Sequence, residues 1–169
     1  MTFYSGLFAQ TFTLGSKDLG GQFTHEFVAG NFGCNGNNRS PELHWSNPPA
    51  NTKSFAVTMY DPDAPTGSGF WHWVVINIPA STTQLVQGAG NTDLKLLPAS
   101  SLHGRNDTGG QGYQGPCPDG DIPHRYLITV YALNTDKLPA PPNATAALTG
   151  FLLNKAAIAK ASLIVYCKK

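Results

Sequence analysis

The sequence predicts a mostly β fold, a β-sandwich of two sheets with a small helical segment near the C-terminus. Three observations carry this. Short apolar stretches rich in β-branched and aromatic residues recur along the chain. Glycine (18) and proline (13) punctuate them, which reads as many tight turns between short strands. One segment alone, after Pro141-Pro142, carries helical spacing.

The elements follow in order. Gln22 to Ala29 is expected to hold a short strand, and Glu42 to Trp45 another after the Ser40-Pro41 turn. Ser54 to Tyr60 alternates Phe55, Val57 and Met59 with Ala56, Thr58 and Tyr60, predicting a strand with one well-buried face. Trp71 to Ile78 is apolar on both faces, so it is predicted as a central strand covered on each side and ended by Pro79. Ala80 to Asp121 is too long for a mere connector and is expected to carry short strands or functional loops. Arg125 to Leu133 is a further long strand. Asn143 is the expected helix N-cap, with Leu148, Phe151, Leu152 and Lys155 at helical spacing behind it. Ser162 to Cys167 closes the sheet, which is expected to be antiparallel or mixed.

Composition narrows the function. The chain has 169 residues, enough for one domain spanning 1–169 with a proper core. Charged residues are 12%, roughly half the usual share, and the net charge is +1. That balance and the scattered basic residues give no footing for nucleic acid. No stretch approaches the ~20 apolar residues of a membrane span. Met1 to Gln10 has no positive charge ahead of its apolar residues, so it does not read as a secretory signal. The three Asn-x-Ser/Thr sequons, at Asn38, Asn106 and Asn143, read by default as loop polarity.

The three cysteines, Cys34, Cys117 and Cys167, form no CxxC pair, which argues against structural zinc. Two readings stand open. Cys34 and Cys117, both in Gly/Pro-rich loops, are joined, which implies an oxidising periplasmic or secreted location; or all three are free thiols in a cytoplasmic protein.

Four polar groups sit at the ends of the most apolar strands. Asp61-Pro62-Asp63-Ala64-Pro65 follows one strand; in extended chain Asp61 and Asp63 share a face. The plain reading is an Asp-Pro turn with solvated carboxylates. His72 lies between Trp71 and Trp73, in phase with Val74 and Ile76 at the rim of the core; a lone histidine there is more often satisfied by a backbone carbonyl. Gly112 to Pro118 offers glycine backbone amides to a ligand, or is simply an irregular loop. His124 and Tyr126 share a face, placing an imidazole beside a phenol.

Taken jointly and in order, Ser40-Pro41-Glu42-Leu43-His44-Trp45, Asp61-Pro62-Asp63-Ala64-Pro65, Trp71-His72-Trp73-Val74-Val75-Ile76-Asn77, Gly115-Pro116 and His124-Arg125-Tyr126 resemble the phosphatidylethanolamine-binding protein family, also called Raf-kinase-inhibitor-like proteins. The stretch Asp61 to Gly69 is most similar to the bacterial branch. The resemblance implies a two-sheet β-sandwich and a pocket for phosphate, phosphorylated head groups or small carboxylates. It implies a lining of Asp61, His72, Gly115, Pro116, His124 and Tyr126, with Asp63 and Pro65 shaping the first loop. Phe70 stands where many eukaryotic relatives have tryptophan and keeps an aromatic wall.

Three functions fit these residues. The first is a binding protein for a small anionic or phosphorylated ligand, regulating a protein partner, with no cofactor and an open oligomeric state. The second is an acid–base hydrolase using His72, His124 and Asp61, against which stands the lack of any nucleophile motif. The third is a metal site at Asp61, Asp63, His72 and His124.

Overall fold

A computed structural model describes residues 10–169. The expectation about a signal in Met1 to Gln10 falls, but for Gln10, outside the described residues. The strands are β1 (Thr13–Gly15), β2 (Leu43–Ser46), β3 (Ser54–Asp61), β4 (Phe70–Pro79), β5 (Gln84–Leu85), β6 (Leu102–His103) and β7 (His124–Leu133). The helix α1 (Ala146–Ala156) then runs directly into β8 (Ala157–Cys167). They make a three-stranded sheet, β1-β2-β5, and a five-stranded sheet, β6-β4-β3-β7-β8. Every pairing between these strands is antiparallel.

The core lies between the sheets. Leu43, Trp45 and Leu85 of the small sheet pack on Phe55, Val57, Met59, Trp73, Val75 and Ile128 of the large one. The opposite face of the large sheet is covered by α1, where Ala146 and Leu153 meet Ala56, Val74, Ile76, Tyr131 and Leu133.

This double cover corrects the expectation that β3 has one buried face. Its alternate residues meet two different layers, and even Thr58 is buried. β3, not β4, is the middle strand; β4 lies between β3 and the two-residue β6, with both its faces buried, and it ends at Pro79 as predicted. The long segment after Pro79 does carry short strands, β5 and β6.

Two other expectations give way. Gln22 to Ala29 forms no strand beyond one bridge from Gln22 to Tyr166. The N–H groups of Phe27 and Val28 both turn back to the Thr24 carbonyl, closing a turn instead. The α1 N-cap is Thr145, whose side chain accepts from Leu148 N at 3.1 Å. Asn143 lies in the preceding turn. The helix buries Ala146, Thr149, Gly150 and Leu153 rather than the expected face, leaving Leu148 and Phe151 exposed. Small residues face the sheet because the helix lies close to it: a Cβ on Gly150 would stand 3.0 Å from the Trp71 ring.

Candidate ligand-binding site

The antiparallel order sets the site. β3 ends where β4 and β7 begin, so Asp61 stands opposite Phe70 and beside the start of β7. Asp61 is buried and both its oxygens are taken. Oδ2 accepts from His124 Nδ1 at 2.8 Å, and Oδ1 accepts from Asp63 N at 2.8 Å. The second bond folds the Asp-Pro-Asp stretch into a turn, so Asp61 and Asp63 do not share a face as extended chain would require. Asp63 instead meets Arg125 outside. Its Oδ2 accepts from Arg125 N and Nε at 2.8 and 2.9 Å, and its Oδ1 from Nη2 at 2.7 Å. The guanidinium holds its carboxyl down to about 2.

His72 reaches the site through a bulge. Met59 pairs with Trp73 and Tyr60 with Trp71, leaving His72 as the extra residue on β4. The slip breaks its expected phase with Val74 and Ile76. Trp71 goes to the helix side with those two, while the His72 ring packs 4.9 Å from Phe70 and 5.1 Å from Tyr126. Its Nδ1 lies 2.9 Å from the Gln114 carbonyl, and the Gln114 N–H returns to the His72 carbonyl at 2.9 Å. A carbonyl only accepts, so Nδ1 carries the proton. Burial pushes the imidazole below its ordinary value, so the neutral form persists. Burial, and then the neighbouring Asp61 carboxylate, push the Tyr126 phenol upward, so it stays protonated.

These groups line a cavity of about 350 Å³. Asp61, Pro65, Phe70, His72, Gly115, His124 and Tyr126 all contribute to its wall. Pro116 and Asp63 do not; Pro116 instead accepts from Ala29 N at 3.0 Å and pins the loop behind the wall. Nor are the Gln114 and Gly115 amides free to serve as ligand donors. Gln114 N is spent on His72, and Gly115 N donates to Asn38 Oδ1 at 2.7 Å. Gly115 is needed for close approach: a Cβ there would stand 2.5 Å from both Ala29 N and Phe27 O.

Several lining residues escaped the sequence reading. Phe32, 64% exposed, Cys117, Pro118 and Asp119 form one wall, and Ala64, Thr66 and Gln114 complete the lining. Cys34 and Cys117 form a disulfide, with Cα atoms 5.9 Å apart, and it ties the Phe32 loop to the Gly115 loop. The two Gly/Pro-flanked cysteines were the available signal for that wall. Among the described residues, no group of three or more His, Cys, Asp or Glu is placed to hold a metal ion, and no helix is long and apolar enough to cross a membrane.

The sequence profile of the family described as phosphatidylethanolamine-binding protein matches residues 16–168. The chain belongs to the phosphatidylethanolamine-binding protein family. Within that family it is similar to two Escherichia coli UPF0098 proteins. It is 50% identical to YbcL over 158 residues, which is 92% of this chain and 86% of YbcL. It is 45% identical to YbhB over 150 residues, 88% of this chain and 94% of YbhB. The crystal structure of Escherichia coli YbcL, described as a new member of the mammalian PEBP family, superposes with a TM-score of 0.90 at 48% identity. That superposition covers 94% of this chain and 98% of YbcL. This family member thus has the two-sheet fold with one small helix that its sequence predicted.

Proposed function

We propose that this protein binds a compact anionic group, a phosphate or phosphorylated head group, and that occupancy of the cavity governs its engagement with a protein partner. One observation carries the reading. Two imidazoles line one small cavity, each held through Nδ1 by another group of the cavity wall: Asp61 for His124 and the Gln114 carbonyl for His72. Each ring therefore keeps Nε2 for a ligand. When His124 takes up a proton, Nε2 becomes a charged donor while Asp61 balances the imidazolium. The Tyr126 hydroxyl supplies a neutral donor.

Calorimetric titration with inorganic phosphate and phosphoethanolamine near about pH 6 tests this. Saturable binding to wild type that disappears in the His72→Ala, His124→Ala double variant supports the pocket. Absence of binding to the wild type overturns it.

The Asp61–His124 pair also has the form of an oriented general base, which favours a hydrolase as the second reading. Nucleophiles are wanting there: Cys117 is in the disulfide, and Cys167 is buried, with its thiol pushed up to about 11. Turnover of a panel of phosphate and carboxylate esters, abolished by His124→Ala, would establish it. The disulfide itself supports an oxidising compartment over a reducing one.

A further inference from the structure

The polar inventory of the cavity is rich in acceptors and poor in donors, an odd balance for a site that takes anions. Asp61 and Asp119 both line it as carboxylates, and among the lining side chains His124, when it carries a proton, is the one that balances them. The nearest guanidinium, Arg125, is held by Asp63 outside the lining. The Gln114 and Gly115 amides are committed to His72 and Asn38, and Pro116 and Pro118 have no N–H to offer.

His72 decides the balance. With Nδ1 donating to the Gln114 carbonyl, a neutral ring presents Nε2 as a bare lone pair. The charged and titratable groups around this ring are Asp61 from β3, His124 and Tyr126 from β7, Asp107 from the loop that binds Trp71 N, and Asp119 from the outer wall. Asp61 and Asp107 favour a proton on the ring, but burial outweighs them. A fully ionised phosphate oxygen brought against Nε2 meets a lone pair with no hydrogen between. A phosphate oxygen that still carries its hydrogen makes a bond there.

Resting on the anion reading above, we infer that the cavity selects the singly protonated, monoanionic form of a phosphomonoester or phosphonate over its dianion, the acidic P–OH donating to Nε2 of His72. The ligand class is thus an acid phosphate, met by the donors of His124 and Tyr126 and by the His72 lone pair as acceptor, rather than a dianion gripped by cations.

The test uses the full chain and two ligands of nearly equal size, ethyl phosphate and ethylphosphonate. A phosphomonoester loses its second proton near about pH 6, and a phosphonate at higher pH. Association constants are measured by calorimetry from about pH 5.5 to about pH 8.5, spanning both ionisations. Protein titrations, His124 included, affect both ligands alike and cancel in the ratio of the two constants. The ratio of phosphonate to phosphate should rise with pH between the two second ionisations, by about tenfold for each unit that separates them, then level off. Dimethyl phosphate, an isomer of ethyl phosphate with one negative charge and no P–OH, should bind roughly tenfold more weakly than ethyl phosphate at the lowest pH.

A ratio that stays flat with pH, or dimethyl phosphate binding as tightly as ethyl phosphate, overturns the selection while leaving the anion pocket standing. Failure of both ligands to bind at every pH overturns the pocket and the selection together.

Discussion

Asp61 and Asp63 are two residues apart and lead opposite lives. Asp63 is held by Arg125 at the surface, and its carboxyl is lowered from 3.8 to about 2. A lowered carboxyl contributes stability above its unfolded value and loses it as pH falls through the folded one. The Asp63–Arg125 bond is therefore intact above about pH 4 and gone below about pH 2. Asp63→Asn should lower the urea midpoint at neutral pH, and the gap to wild type should close across that acid window. A gap that persists at pH 2 would show that the asparagine harms the loop for another reason. Asp61 is buried, and its loss leaves His124 Nδ1 and Asp63 N without their acceptor. Asp61→Ala should cost about 1–3 kcal/mol in urea unfolding and weaken phosphate binding. Alternation along an extended chain could not foresee this divergence, because the Asp63 N–H bond to Asp61 bends the chain at that point. The importance of His72 was legible in its apolar setting, but its aim was not: a bulge is a register event between two strands, and one strand's sequence does not contain it.

Among the elements, β3, β4 and β7 were legible because their burial follows from local composition, whereas β8 begins at Ala157 rather than at the expected Ser162, since it continues from α1 without a break and pairs with β7 along nearly its full length. The helix was legible in place but not in orientation. Leu148 and Phe151 are the bulky residues, yet contact with the sheet is made through Ala146, Gly150 and Leu153, since small side chains permit close approach. Stability should follow the observed face. Leu153→Ala should cost about 2–5 kcal/mol, as expected for a fully buried leucine, whereas Phe151→Ser should stay within about 0.5 kcal/mol. Denaturant unfolding of the two variants checks the assignment, and the reverse order would mean α1 is rotated on the sheet. In the Gly115 loop the constraint is backbone against backbone. Gly115→Ala drives a methyl onto Ala29 N and Phe27 O, neither of which is a flexible side chain that can step aside. A loss of about 1–3 kcal/mol is expected, with weakened phosphate binding as the cavity wall shifts.

At the scale of the molecule, the cavity has two halves of different origin. The inner half, Asp61, Phe70, His72, His124 and Tyr126, is carried by β3, β4 and β7, and antiparallel pairing with the bulge at His72 brings it together. The outer half, Phe32, Gly115, Cys117, Pro118 and Asp119, comes from two loops far apart in sequence. The two Gly/Pro-flanked cysteines were the signal of their meeting, so the sequence pointed to the inner half and to the Gly115 loop but not to Phe32 or Asp119. The loops are joined by the Cys34–Cys117 bond, by Ala29 N to the Pro116 carbonyl, and by the Asn31–Gln114 amide pair. The disulfide spans 83 residues, and closing a chain loop of that length lowers the entropy of the unfolded state by on the order of 4 kcal/mol at room temperature. The double variant Cys34→Ser, Cys117→Ser, or wild type kept under a dithiol reductant, should lose stability of that order in urea. The inner half does not depend on the bond, so the sheet signature in circular dichroism should persist under native conditions. Phosphate affinity should fall, because Phe32 and Asp119 are no longer held against the strand ends. Loss of stability with unchanged phosphate affinity would instead show that the Ala29–Pro116 and Asn31–Gln114 bonds suffice to keep the outer wall in place, and that the disulfide serves the fold alone.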